Sequence, residues 1–368
     1  MDFNFYMPVK VISSKDAVLS HDNVFSSFGK NCLIVSSKSA KRSGALDDVI
    51  TVLERNQIGY KIFDEITQNP KAADCHRAGQ VARDYFAEFI VGIGGGSALD
   101  GAKAAAVYAS NKSLEPEDIY SGNIMLSPLP LILIGTTAGT GSEVTGVSVL
   151  TRENGKKKSV SGPDYYAKIA FADPKYTYSV PYNFTVSTAL DAFAHATESW
   201  FSNKLNDNAK LYAEKAMPPL WSAIKYFYET EALPDEKMRD ELYFSSLNAG
   251  MALNITGTCF PHTMGYVLTE DFSLPHGFAC AAFMTELVKR GMEFKIELAK
   301  EYFNLLGTNY PEFEKIINSL TDLSGVAMSE DRINSYTENW VNMKNFINSP
   351  GGFTPLDAKE LLRKMFLR

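Results

Sequence analysis

Short apolar runs alternate with helical spacings from Cys32 to Ala172, the pattern of parallel strands joined by crossover helices. Cys32-Leu-Ile-Val-Ser36 reads as a buried strand. Leu46, Val49, Ile50 and Leu53 then recur at i, i+3, i+4 and i+7, one face of a helix. Residues 60–66 predict a second strand and 71–87 a second helix. Phe89-Ile-Val-Gly-Ile93 predicts a third strand running straight into a glycine cluster, and 129–134 a fourth that ends at Gly135-Thr136-Thr137. Residues 147–160, centred on Glu153-Asn154-Gly155, predict a hairpin in which Asn-Gly supplies the positive φ angles of a tight turn. Ile169-Ala-Phe-Ala172, before Asp173-Pro174, is expected to be the last strand. After Pro181 the rhythm changes, and from Thr185 onward only helical periodicities and turns are found. The expectation is an α/β domain with a Rossmann-like parallel sheet over residues 1–182 and an all-α domain over 183–368. No internal repeat or low-complexity segment interrupts either.

The first candidate chemistry lies in glycine. Gly94-Gly95-Gly96-Ser97 falls at a strand-to-helix junction, followed by Asp100 and Lys103. Glycines let backbone approach a ligand closely, and the helix that follows points unpaired N–H groups and the positive end of its dipole at the spot. That is a seat for a pyrophosphate. The spacing is not GxGxxG, and such clusters also serve as plain tight turns. A second segment, Gly135-Thr-Thr-Ala-Gly-Thr-Gly-Ser-Glu143, follows the fourth strand, where open α/β sheets bind ligands. Taken alone it reads equally as a flexible loop.

The second candidate lies in histidine. Of five histidines, three fall in a pattern with a carboxylate. Asp191 and His195 stand four apart in a helical segment and so share a face. His262 follows in Cys-Phe-Pro-His262, and His276 in Leu-Pro-His276-Gly277. One carboxylate and three imidazoles suit Fe²⁺ or Zn²⁺ with room for an exchangeable ligand. An Asp–His pair at this spacing is also a common surface or capping contact. His21 and His76 lack such company and read as surface residues.

Composition removes other classes. The 368 residues exceed one ordinary core, which favours two domains. A net charge of −7 offers no basic stripe for nucleic acid. No apolar run reaches the length of a membrane helix, and the start MDFNFYMPVK lacks the features of a signal peptide. Cys32, Cys75, Cys259 and Cys280 form no CxxC pair and read as buried free thiols suited to a reducing cytoplasm, Cys259 included although it stands three residues before His262.

Together these segments resemble the iron-containing (group III) alcohol dehydrogenases, whose wider fold group includes glycerol dehydrogenase and dehydroquinate synthase. The resemblance runs in order through Gly94–Lys103, Thr136–Thr145, Asp173-Pro174, Asp191-Ala-Phe-Ala-His195, His262 and Pro275-His276-Gly277. It implies the dehydroquinate synthase-like fold, with a dinucleotide-binding first domain and a metal-binding second one. It further implies pyrophosphate binding by Gly95, Gly96 and Ser97, with Asp100 beside them. Thr136, Thr137 and Thr140 then line the cofactor site near the nicotinamide, and Asn69 and a hairpin lysine, Lys158, stand near the cofactor. The metal ligands fall on Asp191, His195, His262 and His276. At least a dimer is implied, with an N-terminal strand over residues 3–12 as the expected contact.

Two positions depart from the family pattern. Where a second histidine often stands four residues after the third ligand, this chain has Tyr266. A phenol with an unperturbed pKa of about 10 is a poor proton carrier near neutrality, so proton exchange is expected through water or ribose hydroxyls, with Tyr266 only a candidate catalyst. Many NAD-using members carry an aspartate at the end of the first conserved strand. Here Ser37 takes that place, with Lys38, Lys41 and Arg42 close by, which favours a 2′-phosphate and so NADP over NAD. The expected activity is a metal-dependent hydride transfer between NAD(P)(H) and a small alcohol or aldehyde. Phe260, Met264, Tyr266 and Phe272, near the ligands, suggest a partly apolar substrate pocket. The rivals are a metal- and NAD-dependent lyase of the dehydroquinate synthase type, a metal-dependent hydrolase, and a non-catalytic nucleotide-binding protein.

Overall fold

Eight strands lie along the first half of the chain in the computed structural model, which describes residues 5–122 and 124–368. They are β1 (Lys10–Ser13), β2 (Asn31–Ser36), β3 (Gly59–Phe63), β4 (Phe89–Gly94), β5 (Leu131–Gly135), β6 (Val147–Thr151), β7 (Lys157–Ser161) and β8 (Ile169–Ala172). Six of them form one wholly parallel sheet in the order β1-β8-β5-β4-β2-β3. The continuous apolar runs follow from this: a parallel sheet is covered on both faces, so successive residues are buried on opposite sides. Leu33, Val35, Ile90, Leu131 and Leu133 join the core beneath the helices Ala72–Asp84 and Gly96–Ser110. Cys32, Ile34, Phe89, Val91, Ile132 and Ile134 join the other core, against the helix Ala45–Arg55.

The strand order fixes where a ligand belongs. From β2 the chain moves outward to β3, then returns to the other side of β2 to lay down β4, β5 and β8. The reversal falls between β2 and β4, and open α/β sheets bind ligands beyond the strand ends at such a switch point. Ser37 follows the C-terminal end of β2, and Gly94 ends β4 with Gly95 next to it.

Two details differ from the sequence reading. The hairpin β6–β7 is antiparallel with Thr151 opposite Lys157, but Asn154 keeps a negative φ. Only Gly155 is left-handed, at φ 78°, and its N–H donates to Arg152 O at 3.0 Å. A turn closed by one left-handed glycine makes a three-residue loop, so the two-residue turn is replaced. The expected N-terminal strand is confined to Lys10–Ser13, which pairs with β8; residues 3 and 4 of that expectation lie outside the described residues.

By compactness, the α/β unit comprises Tyr6–Val180 with Asp235–Tyr243, and the helical unit comprises Pro181–Pro234 with Phe244–Arg368. The sequence reading gave residues 235–243 to the second domain. Polar bonds tie them to the first: Arg239 donates to Thr177 O (2.8 Å) and Val180 O (3.0 Å), and Tyr178 Oη donates to Asp240 (2.7 Å). Among the described residues beyond β8 there is no sheet, only an isolated bridge between Met328 and Leu367.

Within the helical unit, the helix Tyr182–Phe201 is buried without a break from Ala189 to Phe201. A helix buried all round should be apolar throughout. This one carries Asp191, His195, Thr197, Glu198 and Ser199, all at most 4 % exposed. The short helix His276–Ala281 packs on it so closely that a Cβ on Gly277 would lie 1.7 Å from Ser187 O. Backbone cannot yield as a side-chain tip does. Gly277→Ala is therefore expected to destabilise the protein by about 1–3 kcal/mol. A lowered thermal midpoint in a melt against wild type checks this, and an unchanged midpoint contradicts the packing argument.

Candidate metal centre and phosphate cradle

Asp191 and His195 project from one face of the buried helix Tyr182–Phe201, His262 from the first turn of the helix Phe260–Phe272, and His276 from the start of the helix His276–Ala281. Three segments distant in sequence thus meet at one carboxylate oxygen. Asp191 Oδ1 lies 3.7 Å from His195 Nε2, 3.6 Å from His262 Nε2 and 3.9 Å from His276 Nε2. These separations are long for hydrogen bonds. They are close to the distance of about 3.4 Å expected between donors sharing one cation at 2.0–2.2 Å. Asp191 Oδ1 and His262 Nε2 are buried with no hydrogen-bond partner, a costly state that a shared cation would relieve. The donor set and the orphaned atoms fit a divalent metal.

Electrostatics agree. Burial pushes the Asp191 carboxyl up, but the neighbouring His195, His262 and His276 outweigh it and hold it well below the usual carboxylate range. Burial lowers the His262 imidazole, yet Cys280, Glu198 and Asp191 raise it well above its ordinary value. Asp191 is therefore favoured in its ionised form.

Two residues to which the sequence reading gave no role at the metal belong to this cluster. Glu198 is fully buried, and its carboxylate meets His262 Nδ1 at 2.5 Å and accepts from the Cys259 N–H at 2.5 Å. It thereby fixes the imidazole's orientation and leaves Nε2 facing Asp191, as outer carboxylates do for metal-binding histidines. The signal was in the spacing, for Asp191, His195 and Glu198 stand at i, i+4 and i+7. The other residue is Cys280, whose donor atom lies with those of Asp191, His262 and His276 within 4.8 Å of one another. All four cysteines are free and buried.

The residues expected near the ligands separate. Tyr266 stacks on His276, ring centroids 5.5 Å apart and planes at 12°. Phe260 and Met264 are fully buried, with Phe260 stacked on Phe353 at 3.9 Å, and Phe272 lies under the Arg332 guanidinium. The apolar pocket expected from these four residues is therefore not made by Phe260, which faces the core.

In the α/β unit the glycine turn leads into a helix without a side-chain cap. Gly94 is left-handed-side backbone at φ 152°, and Gly95 caps the helix Gly96–Ser110 with no side chain on its first N–H groups. Several of the expected cofactor residues border it. A Cβ would lie 2.8 Å from Ser37 Oγ at Gly94, 3.1 Å from Thr137 at Gly95 and 2.6 Å from Thr140 at Gly96. Thr136 N–H donates to Gly94 O at 2.9 Å, and Asn69 N–H to Ser97 Oγ at 3.3 Å. Asp100 faces inward: its oxygens accept from Ser142 Oγ (2.6 Å) and the Val149 N–H (2.9 Å), so it holds the threonine loop in place. Fully buried Lys103 does the same, donating to Ser142 O, Ser142 Oγ and Val147 O at 2.7–2.8 Å. Burial brings its ammonium down to about 8, against the opposing charges of Asp100 and Glu143. Lys158 is exposed, with its ammonium 5.2 Å over the Tyr120 ring.

A doubly wound sheet with an open glycine turn at its switch point, in one chain with a buried carboxylate–imidazole cluster, describes a nucleotide-binding metalloprotein class. Known proteins narrow it. Residues 8–174 match the family model described as iron-containing alcohol dehydrogenase, and residues 185–354 its C-terminal counterpart. A sulfoacetaldehyde reductase of Bilophila wadsworthia is 32% identical over 290 residues, covering 77% of this chain and 74% of that one. The crystal structure of an iron-containing alcohol dehydrogenase from Thermotoga maritima is 33% identical, covers 99% of both chains and superposes with a TM-score of 0.91. A sulfoacetaldehyde reductase from Bifidobacterium kashiwanohense, solved in complex with NAD⁺, is 26% identical over 99% of both chains with a TM-score of 0.87. This chain belongs to the iron-containing alcohol dehydrogenase family and is an oxidoreductase acting between alcohols and carbonyl compounds. Among the readings the sequence left open, that selects the dehydrogenase.

Glu198→Gln keeps the shape of the side chain beside His262 but removes its charge. It is expected to weaken divalent-metal retention about 10- to 100-fold, read as a raised dissociation constant in a competition titration with a chelator. Unaltered retention would leave Glu198 a packing residue.

Proposed function

We propose that this chain interconverts a small alcohol and its aldehyde with NADP(H), using one Fe²⁺, or alternatively Zn²⁺, held by Asp191, His195, His262 and His276. The observation that carries the reading is the meeting of three imidazole nitrogens within 3.9 Å of one buried carboxylate oxygen. When bound, the cation supplies Lewis acidity toward the substrate oxygen, and the nicotinamide supplies or accepts the hydride at its C4.

The chain's own residues do the rest. The free N–H groups of Gly95, Gly96 and Ser97, at the positive end of the helix Gly96–Ser110, bind the pyrophosphate. Thr136, Thr137 and Thr140 present hydroxyls beside that turn, and Asp100 and Lys103 keep their loop rigid. Asn69 closes against Ser97, and Lys158 supplies a cation on the hairpin. Asp191 stays ionised, as a ligand must, and Glu198 keeps His262 presented through Nε2. Tyr266 shields one face of His276 and offers a phenolic O–H, while proton exchange runs through water or the ribose hydroxyls. Free thiols support a reducing, cytoplasmic setting, and no described helix is long and apolar enough to cross a membrane. Assembly as a dimer or larger oligomer is part of the same proposal.

The NADP preference rests on Ser37, which follows β2 beside Gly94, and on the exposed cations Lys38, Lys41 and Arg42. The Bifidobacterium relative was solved with NAD⁺, so on this point the chain would differ from it. Ser37→Asp is expected to shift the ratio of kcat/KM for NADPH over NADH by about tenfold or more toward NADH, the equivalent of about 1.4 kcal/mol. A ratio that stays put removes the argument.

The reading as a whole is tested by following NADPH and NADH consumption with a panel of aldehydes, anaerobically and with added Fe²⁺. His276→Ala is expected to lose bound metal and turnover together while its circular dichroism stays that of wild type. A fully active His276→Ala protein would overturn the ligand assignment.

A further inference from the structure

Cys280 lies one helical turn beyond His276 on the helix His276–Ala281, so the two side chains share a face. Its Sγ is 3.7 Å from both Nδ1 and Nε2 of His276. The donor atoms that all lie within 4.8 Å of one another are those of Asp191, His262, His276 and Cys280. His195 joins through Asp191 Oδ1 and by stacking on His262, ring centroids 4.7 Å apart. Independently of the sulfur, Asp191 Oδ1 and His262 Nε2 are buried and make no hydrogen bond. These two atoms and the sulfur thus border one space.

The remaining cysteine near the ligands is placed differently. Cys259 Sγ contacts the backbone oxygens of Glu198 (3.5 Å) and Asn348 (3.6 Å), so its thiol is directed at main chain.

We propose that Cys280 is a direct thiolate donor to the catalytic metal, making the site a carboxylate–imidazole–thiolate centre. The inference rests on the metal reading above and adds a ligand to it. On binding, the Cys280 S–H bond breaks, the proton passes to solvent, and the sulfur's electron pair forms the bond to the cation. No electron is transferred. A soft sulfur in the set moves the site's preference toward Zn²⁺ relative to a purely nitrogen and oxygen set.

The test is Co²⁺ titration of the purified full-length protein, wild type beside Cys280→Ser, Cys280→Ala and Cys259→Ser. Visible d–d bands report that cobalt is bound, and a near-ultraviolet sulfur-to-cobalt charge-transfer band reports a thiolate in its coordination sphere. The expected result is both bands in wild type and Cys259→Ser, with the charge-transfer band lost and the d–d bands kept in at least one Cys280 variant. Wild type with d–d bands but no charge-transfer band overturns the thiolate and leaves the metal site standing. A charge-transfer band that survives in the Cys280 variants also overturns it. Wild type that takes up no cobalt overturns the metal reading itself.

Discussion

A buried carboxylate without a hydrogen-bonded partner is the constraint around which the helical unit is organised. Removing Asp191 from water penalises its charge by several kcal/mol unless an opposite charge is brought to it. The chain brings three imidazoles instead of an arginine or lysine, and it holds them too far away to donate. Asp191 Oδ1 is left buried without a hydrogen bond, the setting that a cation held among these side chains would satisfy. Glu198 makes the same demand two turns on. Its burial raises its carboxyl, and His262 opposes that shift. One imidazole lies between the two buried carboxyl groups of this helix, Nδ1 toward Glu198 and Nε2 toward Asp191.

The α/β unit answers a different problem, which is how to leave backbone N–H groups unsatisfied without losing the loop that carries them. The turn before the helix Gly96–Ser110 has no side-chain cap. Stiffness comes from beneath. Lys103, inaccessible to water, is bonded to three acceptors on the threonine loop and β6, and Asp100 braces the same loop from the next turn of the helix. An ammonium buried among carbonyls is stable only while every donor is used, so these bonds resist the loop's departure. The glycines then carry no side chain because Ser37, Thr137 and Thr140 already occupy the space a Cβ would need.

How much of this could be read from the sequence depended on whether the cause was local. Buried parallel strands announce themselves as apolar runs, so β2, β4, β5 and β8 were legible from residues such as Leu33, Ile90, Leu133 and Ala170. Strand order was not, because nothing in β2 states that β3 and β4 lie on opposite sides of it. Yet the switch point, and with it the meaning of Gly94–Ser97, follows only from that order. The hairpin was legible as a hairpin, but whether Asn154 or only Gly155 turned left-handed depended on the Arg152 carbonyl accepting the closing bond. Residues 235–243 look like the start of an ordinary helix; what attaches them to the α/β unit is one arginine reaching two carbonyl oxygens some sixty residues away in sequence.

The helix Phe260–Phe272 shows why four residues close together in sequence cannot all be given one role. Phe260 and Met264, four apart, share one face, and His262 and Tyr266, also four apart, share another. The first pair is sealed in the core, where Phe260 stacks on Phe353 and Phe353 meets Phe346 edge-on. The second pair faces the cluster, with Tyr266 flat against His276. Aromatic packing on one side thus fixes the rotation of the helix, and that rotation aims His262 at Asp191. Proximity in sequence therefore misassigned Phe260, whereas helical period, applied to each face separately, divides chemistry from packing along the same thirteen residues.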